Sequence, residues 1–276
     1  MKAAWAVCKR EFKSYFTTPV GYVIAGTFAF LSGLGFTAGF IFYCRVTKNP
    51  PAYAYTGVPD LEETMLSPFL VFCGQLIMFI GPLLTMRLLA EEKNRGTAEL
   101  LFTYPLRDRE IVLGKFAAAL GMLLVMMAAV AVQLSIMSYY TDVEPAVLLF
   151  GLLTVFLMGA AFVGLGLFVS AMTSNQVTAG TLTLGTWFIS YVLGSLGEDL
   201  PEHLLTPERF GPALQKLTGL LYGIFRDLVT QLPLDAHARE MAQGIFQPKD
   251  VAYYVLFTVF FLFLTLRALE SRKWKG

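Results

Sequence analysis

Six separate runs of apolar side chains, each about 20 residues or longer, leave this chain little choice of environment, because roughly 20 helical residues are what a hydrocarbon core of about 30 Å requires. The runs lie at Val20 to Tyr43, Leu66 to Leu89, Ile111 to Tyr140, Ala146 to Met172, Val177 to Leu196 and Val251 to Leu269. A segment isolated in lipid has to satisfy its own backbone hydrogen bonds, so each run is expected to be an α-helix. The shorter alternating strands of a membrane barrel do not occur in the pattern. With 56% hydrophobic residues and a mean hydropathy of +0.61, the chain carries more apolar surface than a soluble core conceals. The expected fold class is an all-α integral membrane protein with six transmembrane helices.

The charges are few, and their placement is informative. A formal net charge of +1 gives no reason to expect a nucleic-acid partner. Lys and Arg concentrate before the first run (Lys2, Lys9, Arg10, Lys13), between the second and third (Arg87 to Lys115) and after the last (Arg267 to Lys275). The opposite connections hold half as many over more residues. Positive charge marks cytoplasmic loops, so both termini are expected in the cytoplasm, in keeping with an even number of spans. The first run starts late and has no short apolar core followed by a small-residue cleavage site, so it is expected to be retained. Cys8, Cys44 and Cys73 have neither CxxC nor Cys/His spacing and are expected to be incidental.

Three segments outside the runs have their own character. Residues 1–19 place Trp5, Cys8, Phe12, Tyr15 and Phe16 on one helical face and Lys2, Lys9, Arg10 and Lys13 on the other. This spacing predicts an interfacial amphipathic helix on the cytoplasmic leaflet, turned inward at Pro19. Residues 90–110 form the cytoplasmic link: Gly96 interrupts the helix leaving the second span, Thr97 caps a new short helix and Pro105 limits it. Apolar Leu100, Leu101 and Phe102 beside Glu99 suit docking into a groove on another protein. Residues 197–250 make a long external loop. Within it Leu214, Leu217, Leu221, Ile224 and Leu228 recur at helical spacing between Pro212 and Pro233, and a second short helix is expected from Asp235 to Gly244. These helices are expected to pack across the outer mouth of the bundle or to sit in the outer interface.

Catalytic machinery is not legible. His203 and His237 lie in the external loop without a spaced nucleophile or carboxylate and are expected to be solvated, and no GxxxxGK[ST] phosphate-binding loop occurs. No Asp, Glu or Lys falls near the middle of a span, where proton relays and ion-coupled transporters place theirs. The energy for any transport is therefore expected from a partner. Pairs of small residues, Gly35 with Gly39 and Ala160 with Gly164, predict close helix packing.

The link is also where a family resemblance resides. Glu91-Glu92-Lys93-Asn94-Arg95-Gly96-Thr97-Ala98-Glu99-Leu100-Leu101, then Thr103-Tyr104-Pro105-Leu106, Arg109-Glu110-Ile111 and Gly114-Lys115-Phe116, resembles the signature between the second and third spans of ABC-2-type permeases, and most of all the gliding-motility permease subgroup. Lys9 to Pro19 resembles that subgroup's elbow helix, and Gly244 to Tyr254 with Arg272-Lys273-Trp274 its last span. The resemblance implies one transmembrane domain over residues 1–276, the membrane-spanning subunit of an ATP-driven exporter. It implies a second permease copy or paralogue and cytoplasmic ABC ATPase subunits, with ATP and Mg held there and no cofactor or metal here. Glu91, Glu92, Arg95, Gly96, Thr97, Glu99, Leu100, Leu101, Pro105 and Arg109 would then meet the ATPase, and Trp5, Lys9, Arg10, Lys13 and Phe16 the membrane interface. An apolar, glycine-rich interior tolerates lipid-like or amphipathic cargo better than small ions. The rival expectation is a non-transporting anchor or mechanotransmission subunit coupled to such an ATPase, with a periplasmic partner. The implied location is a bacterial cytoplasmic membrane.

Overall fold

The computed structural model describes residues 2–53, 57, 59–94, 96, 107–201 and 212–272, and among them every regular element is a helix. Helix α1 (Lys2–Thr17) precedes α2 (Pro19–Lys48); α3 (Ser67–Thr85) continues after a short turn into α4 (Ala90–Asn94); then come α5 (Asp108–Tyr140), α6 (Pro145–Met172) and α7 (Gln176–Asp199). A distal segment holds α8 (Pro212–Gln231), a 3₁₀ turn (Leu234–His237) and α9 (Arg239–Ala242), and α10 (Pro248–Arg272) closes the chain. Six stretches are long and apolar enough to span a membrane: Pro19–Lys48, Glu62–Asn94, Asp108–Tyr140, Pro145–Met172, Gln176–Gly197 and Pro248–Ser271. They contain all six expected runs. They are longer because proline, which lacks the N–H that a first turn leaves unused, starts α2, α6 and α10 ahead of the apolar residues. Asn175 starts α7 by accepting the Val177 N–H at 2.9 Å.

Helices α3, α6 and α10 run in one direction, toward the end of the bundle that carries α1, here called proximal. Helix α6 is the centre of the core, packed most extensively against α10 and α3. Glycines 151 and 166 of α6 face Leu70 and Thr85 of α3, Gly159 faces Leu123 of α5 together with Ile77 of α3, and Gly74 and Gly81 of α3 receive Met158 and Phe162. A recurrence near seven residues on both partners interlocks them along their length. The small-residue pairs read from the sequence are also used inside the chain: Gly35 and Gly39 admit Phe72 and Met65, and Gly164 meets Thr258 of α10.

Helix α1 lies mainly on α5. A Cβ on Gly114 would sit 2.7 Å from the Ala4 carbonyl oxygen and 2.8 Å from Val7, and one on Gly121 would sit 2.9 Å from the Phe12 ring. The aromatic stripe expected on one face of α1 is divided. Cys8 and Tyr15 are buried and Phe12 and Phe16 half-buried against the protein, whereas Trp5 is 69% exposed. Apolar side chains expected in lipid are thus largely spent on the helix's own bundle. Replacing Gly114 with Leu is expected to lift α1 away at an overpacking cost of about 1–3 kcal/mol, seen as faster hydrogen exchange across residues 2–17. Unchanged exchange there would show that the seat is not tight.

The distal segment forms helices where the sequence expects them, and of the two expected placements α8 does not take the one across the bundle mouth. Leu217, Leu221, Ile224 and Leu228 of α8 are each more than half exposed, so the stripe does not close over the bundle mouth, and α8 leans on α7. His237, expected to be solvated, is packed instead: its side chain is 12% exposed, its ring stacks on Tyr253 at 4.0 Å and Nδ1 lies 2.8 Å from Asp250. The partner is 13 residues away and becomes adjacent only when the segment folds back onto α10. His203 lies outside the described residues.

Candidate functional site

At the proximal end the second span does not run straight into the link. The helical hydrogen-bond ladder lapses over residues 86–89, where Leu88 N–H turns to the Thr85 carbonyl at 3.1 Å. The amides of Leu89 and Ala90 are taken by one side chain from another helix: Ser170 Oγ accepts them at 3.1 and 3.0 Å and donates to the Met86 carbonyl at 3.3 Å. Ser170 is fully buried near the end of α6. A hydroxyl inserted into a helical ladder is a recognised origin of a bend, and here it belongs to a neighbouring helix, so the bend is tied to α6.

The stem beyond this bend, α4, is gripped from two sides. On one, the Lys93 ammonium donates to the Ala171 carbonyl and, at 3.3 Å, to that of Thr173. These are terminal carbonyls of α6, where unsatisfied oxygens and the helix dipole favour a cation. On the other side, Glu92 Oε1 lies 3.0 Å from Lys115 Nζ and 3.3 Å from Arg10, while Glu11 Oε1 lies 3.3 Å from Lys115 Nζ and 2.7 Å from Arg10. Two carboxylates and two cations from α1, α4 and α5 thus close a square. Lys115 is 1% exposed, which an ammonium tolerates only when paired. Burial on its own raises the Glu11 carboxyl, and Lys115 with Arg10 more than reverses it, leaving Glu11 below the usual carboxylate value.

The residues expected to form the coupling site divide as follows. Glu92 belongs to the square, and Glu91 stands 4.0 Å from Arg87 one turn back. Gly96 has φ of +69°, the left-handed region in which glycine is at ease, and its N–H bonds the Lys93 carbonyl at 3.2 Å, ending the stem where the sequence places the interruption. Arg109 is exposed in the first turn of α5. Arg95, Thr97, Glu99, Leu100, Leu101 and Pro105, and with them the expected link helix, lie outside the described residues. Of the expected interface residues, Lys9 and Lys13 are exposed with Trp5, Phe16 packs edge-on against Phe12 and Tyr22, and Arg10 joins the square.

Sequence reading missed Glu11, Ser170 and the roles of Lys93 and Lys115. Lys115 could have been found, since a lysine two turns inside a long apolar helix demands an acidic partner. Glu11, the one acid among the basic residues of α1, was the available candidate. Ser170 gave no comparable signal.

The family model described as "ABC-2 family transporter protein" matches residues 6–274. The chain is 27% identical over 207 residues to the "Probable ABC transporter permease protein NosY" of Pseudomonas aeruginosa, covering 71% of this chain and 70% of that protein. It is 36% identical over 151 residues to "ABC transporter G family member 20" of Dictyostelium discoideum, which takes in 52% of this chain but only 20% of that much longer protein. The match runs from α1 through the end of α10 and takes in the bend, the stem and the square. The chain therefore belongs to the ABC-2 family of transporter proteins and is a membrane permease subunit of an ABC transporter.

Proposed function

We propose that the chain is the membrane subunit of an ATP-driven exporter in a bacterial cytoplasmic membrane, that it works as a dimer, and that the link after α4 docks on a separate cytoplasmic ATPase, which binds ATP and Mg. The proximal end is then cytoplasmic. The observation that carries this reading is the stem. A segment of five residues is fastened at once to α1, α5 and α6, so a displacement of the link reaches three further helices besides α3. An ATPase closing on the link would move this group together and open a path for cargo toward the distal side. The cargo fits a lipid-like or amphipathic class, in keeping with spans whose middles hold no Asp, Glu or Lys.

Gly96→Val tests the coupling. An L-residue held at a left-handed φ costs about 1–2 kcal/mol, and the strain falls between stem and link and outside the membrane. The variant, assembled with its ATPase in vesicles, is expected to retain assembly and basal ATP hydrolysis while losing most of the stimulation by amphipathic lipids and peptides. Full stimulation in the variant would refute docking through the link. A wild-type complex that hydrolyses ATP but moves no lipid or peptide would favour the anchor or mechanotransmission role.

A further inference from the structure

Residues 231–238, between α8 and α9, are pinned to the first turns of α10 by three side chains in a row. Tyr253 Oη donates to the Leu232 carbonyl and Tyr254 Oη to that of Leu234, each at 2.6 Å. His237 completes the set, with Nδ1 2.8 Å from Asp250 and Nε2 2.9 Å from the Gln231 carbonyl. Both atoms facing the ring are acceptors, and Asp250 is 2% exposed in the first turn of α10. A neutral imidazole has one N–H and serves only one of them, whereas an imidazolium serves both.

The pinned residues separate two distal cavities. One, of about 400 Å³, is mixed in character, with Gln75, Tyr191, Ser195, Thr230, Asp235 and Arg239 supplying its polar groups. The other, of about 200 Å³, is apolar and is lined by Phe162, Ile189, Leu193, Leu232, Phe257 and Phe261. Leu232 to Leu234 wall the apolar cavity and Thr230, Asp235 and Ala236 the mixed one, so both depend on where this short segment sits.

We propose that residues 231–238 are a strap across the distal end, fastened by doubly protonated His237, and that loss of one imidazole proton releases the Gln231 end and opens both cavities. Among the described side chains, the charged and titratable groups on the elements packed around the strap include Lys249, Asp250, Tyr253 and Tyr254 in the first turns of α10, Lys216, Tyr222, Arg226 and Asp227 of α8, Tyr191 of α7, Arg239 and Glu240 of α9, and Asp235 of the strap itself. Asp250 is the one whose hydrogen bond to the ring is direct, and Lys249 is engaged 3.6 Å from Glu240. The strap sits at the far end from the stem and its fastening does not depend on which way cargo moves.

The test is hydrogen exchange on the full complex in lipid nanodiscs between about pH 5 and pH 8, the range over which histidine changes charge, corrected for intrinsic exchange. Protection of the amides of residues 231, 232 and 234–238 is expected to fall with rising pH, by up to about tenfold per pH unit, the limit for a single proton. Protection in the middle of α6 should stay constant. His237→Gln is expected to abolish the pH dependence and leave the strap at its weakly protected level, whereas Asp250→Asn, whose amide can donate to Nδ1 while Nε2–H serves the Gln231 carbonyl, is expected to abolish it with the strap protected throughout. Flat protection in the wild-type complex would overturn the proposal whether or not the variants assemble, as would a pH dependence that persists in His237→Gln.

Discussion

Lys115→Met is expected to destabilise the proximal end by about 3–5 kcal/mol, the range for removing one member of a buried ionic group and leaving its partners behind. The square explains the size of the effect. Without the ammonium, Glu11 and Glu92 lose the buried cation they share, and Arg10, the other cation of the square, is 56% exposed and screened by water. The Glu11 carboxyl then moves upward, because burial raises it and the largest opposing influence is gone, with only Arg10 still holding it down. In the wild type Glu11 lies below its unfolded value, so its contribution is complete above the ordinary carboxylate range and fades only as pH falls through the depressed value. The variant should lose stability at a higher pH. Thermal unfolding in detergent across an acid titration reads both effects. The triple variant Lys115→Met with Glu11→Gln and Glu92→Gln, which leaves Arg10 without its acids but at an exposed position and no buried charge uncompensated, should regain much of the loss. Failure of that rescue would show that Lys115 acts by packing and not by charge.

Ser170→Ala is the second large effect, and it acts on the bend. The buried amides of Leu89 and Ala90 lose their common acceptor and the part-buried Met86 carbonyl loses a donor; each orphaned buried group costs about 1–3 kcal/mol. The helix has two responses: to straighten, carrying α4 away from Lys115, or to fray. Either way exchange at Leu89 and Ala90 should accelerate strongly while the middle of α3 stays protected, and ATP hydrolysis in the complex should respond less to amphipathic cargo. Wild-type exchange at those two amides would mean that the bend is set by α3 alone.

The contrast between these residues and the spans shows what a sequence of this kind discloses. The six spans were legible because a run of apolar residues is a local property and lipid enforces it residue by residue. The helix over Pro212–Gln231 was legible by periodicity, and the stop at Gly96 by glycine's tolerance of positive φ. Facing was not legible. The stripe of α8 reads the same whether it meets protein or lipid, and the stripe of α1 divides because α5 offers glycines at 114 and 121 for only part of it. Pairings across more than 80 residues, Glu92 with Arg10 or Ser170 with Leu89, arise from packing alone. Of the candidate coupling site, the acidic stem and its glycine stop were foreseen; the helices that hold the stem were not.

The interlocked glycines of α3 and α6 bear on how force could travel. Two rods notched into one another at intervals along their length resist sliding and behave as a single stiff plate. If the link is pushed, that plate can rock but not shear, and deformation must be absorbed where the notches stop: at the turn over residues 86–89 on one side, and along α7 on the other, whose Gly185 meets no neighbour within 4 Å. Engineering that stiffens the turn should therefore block motion more completely than any change within the plate.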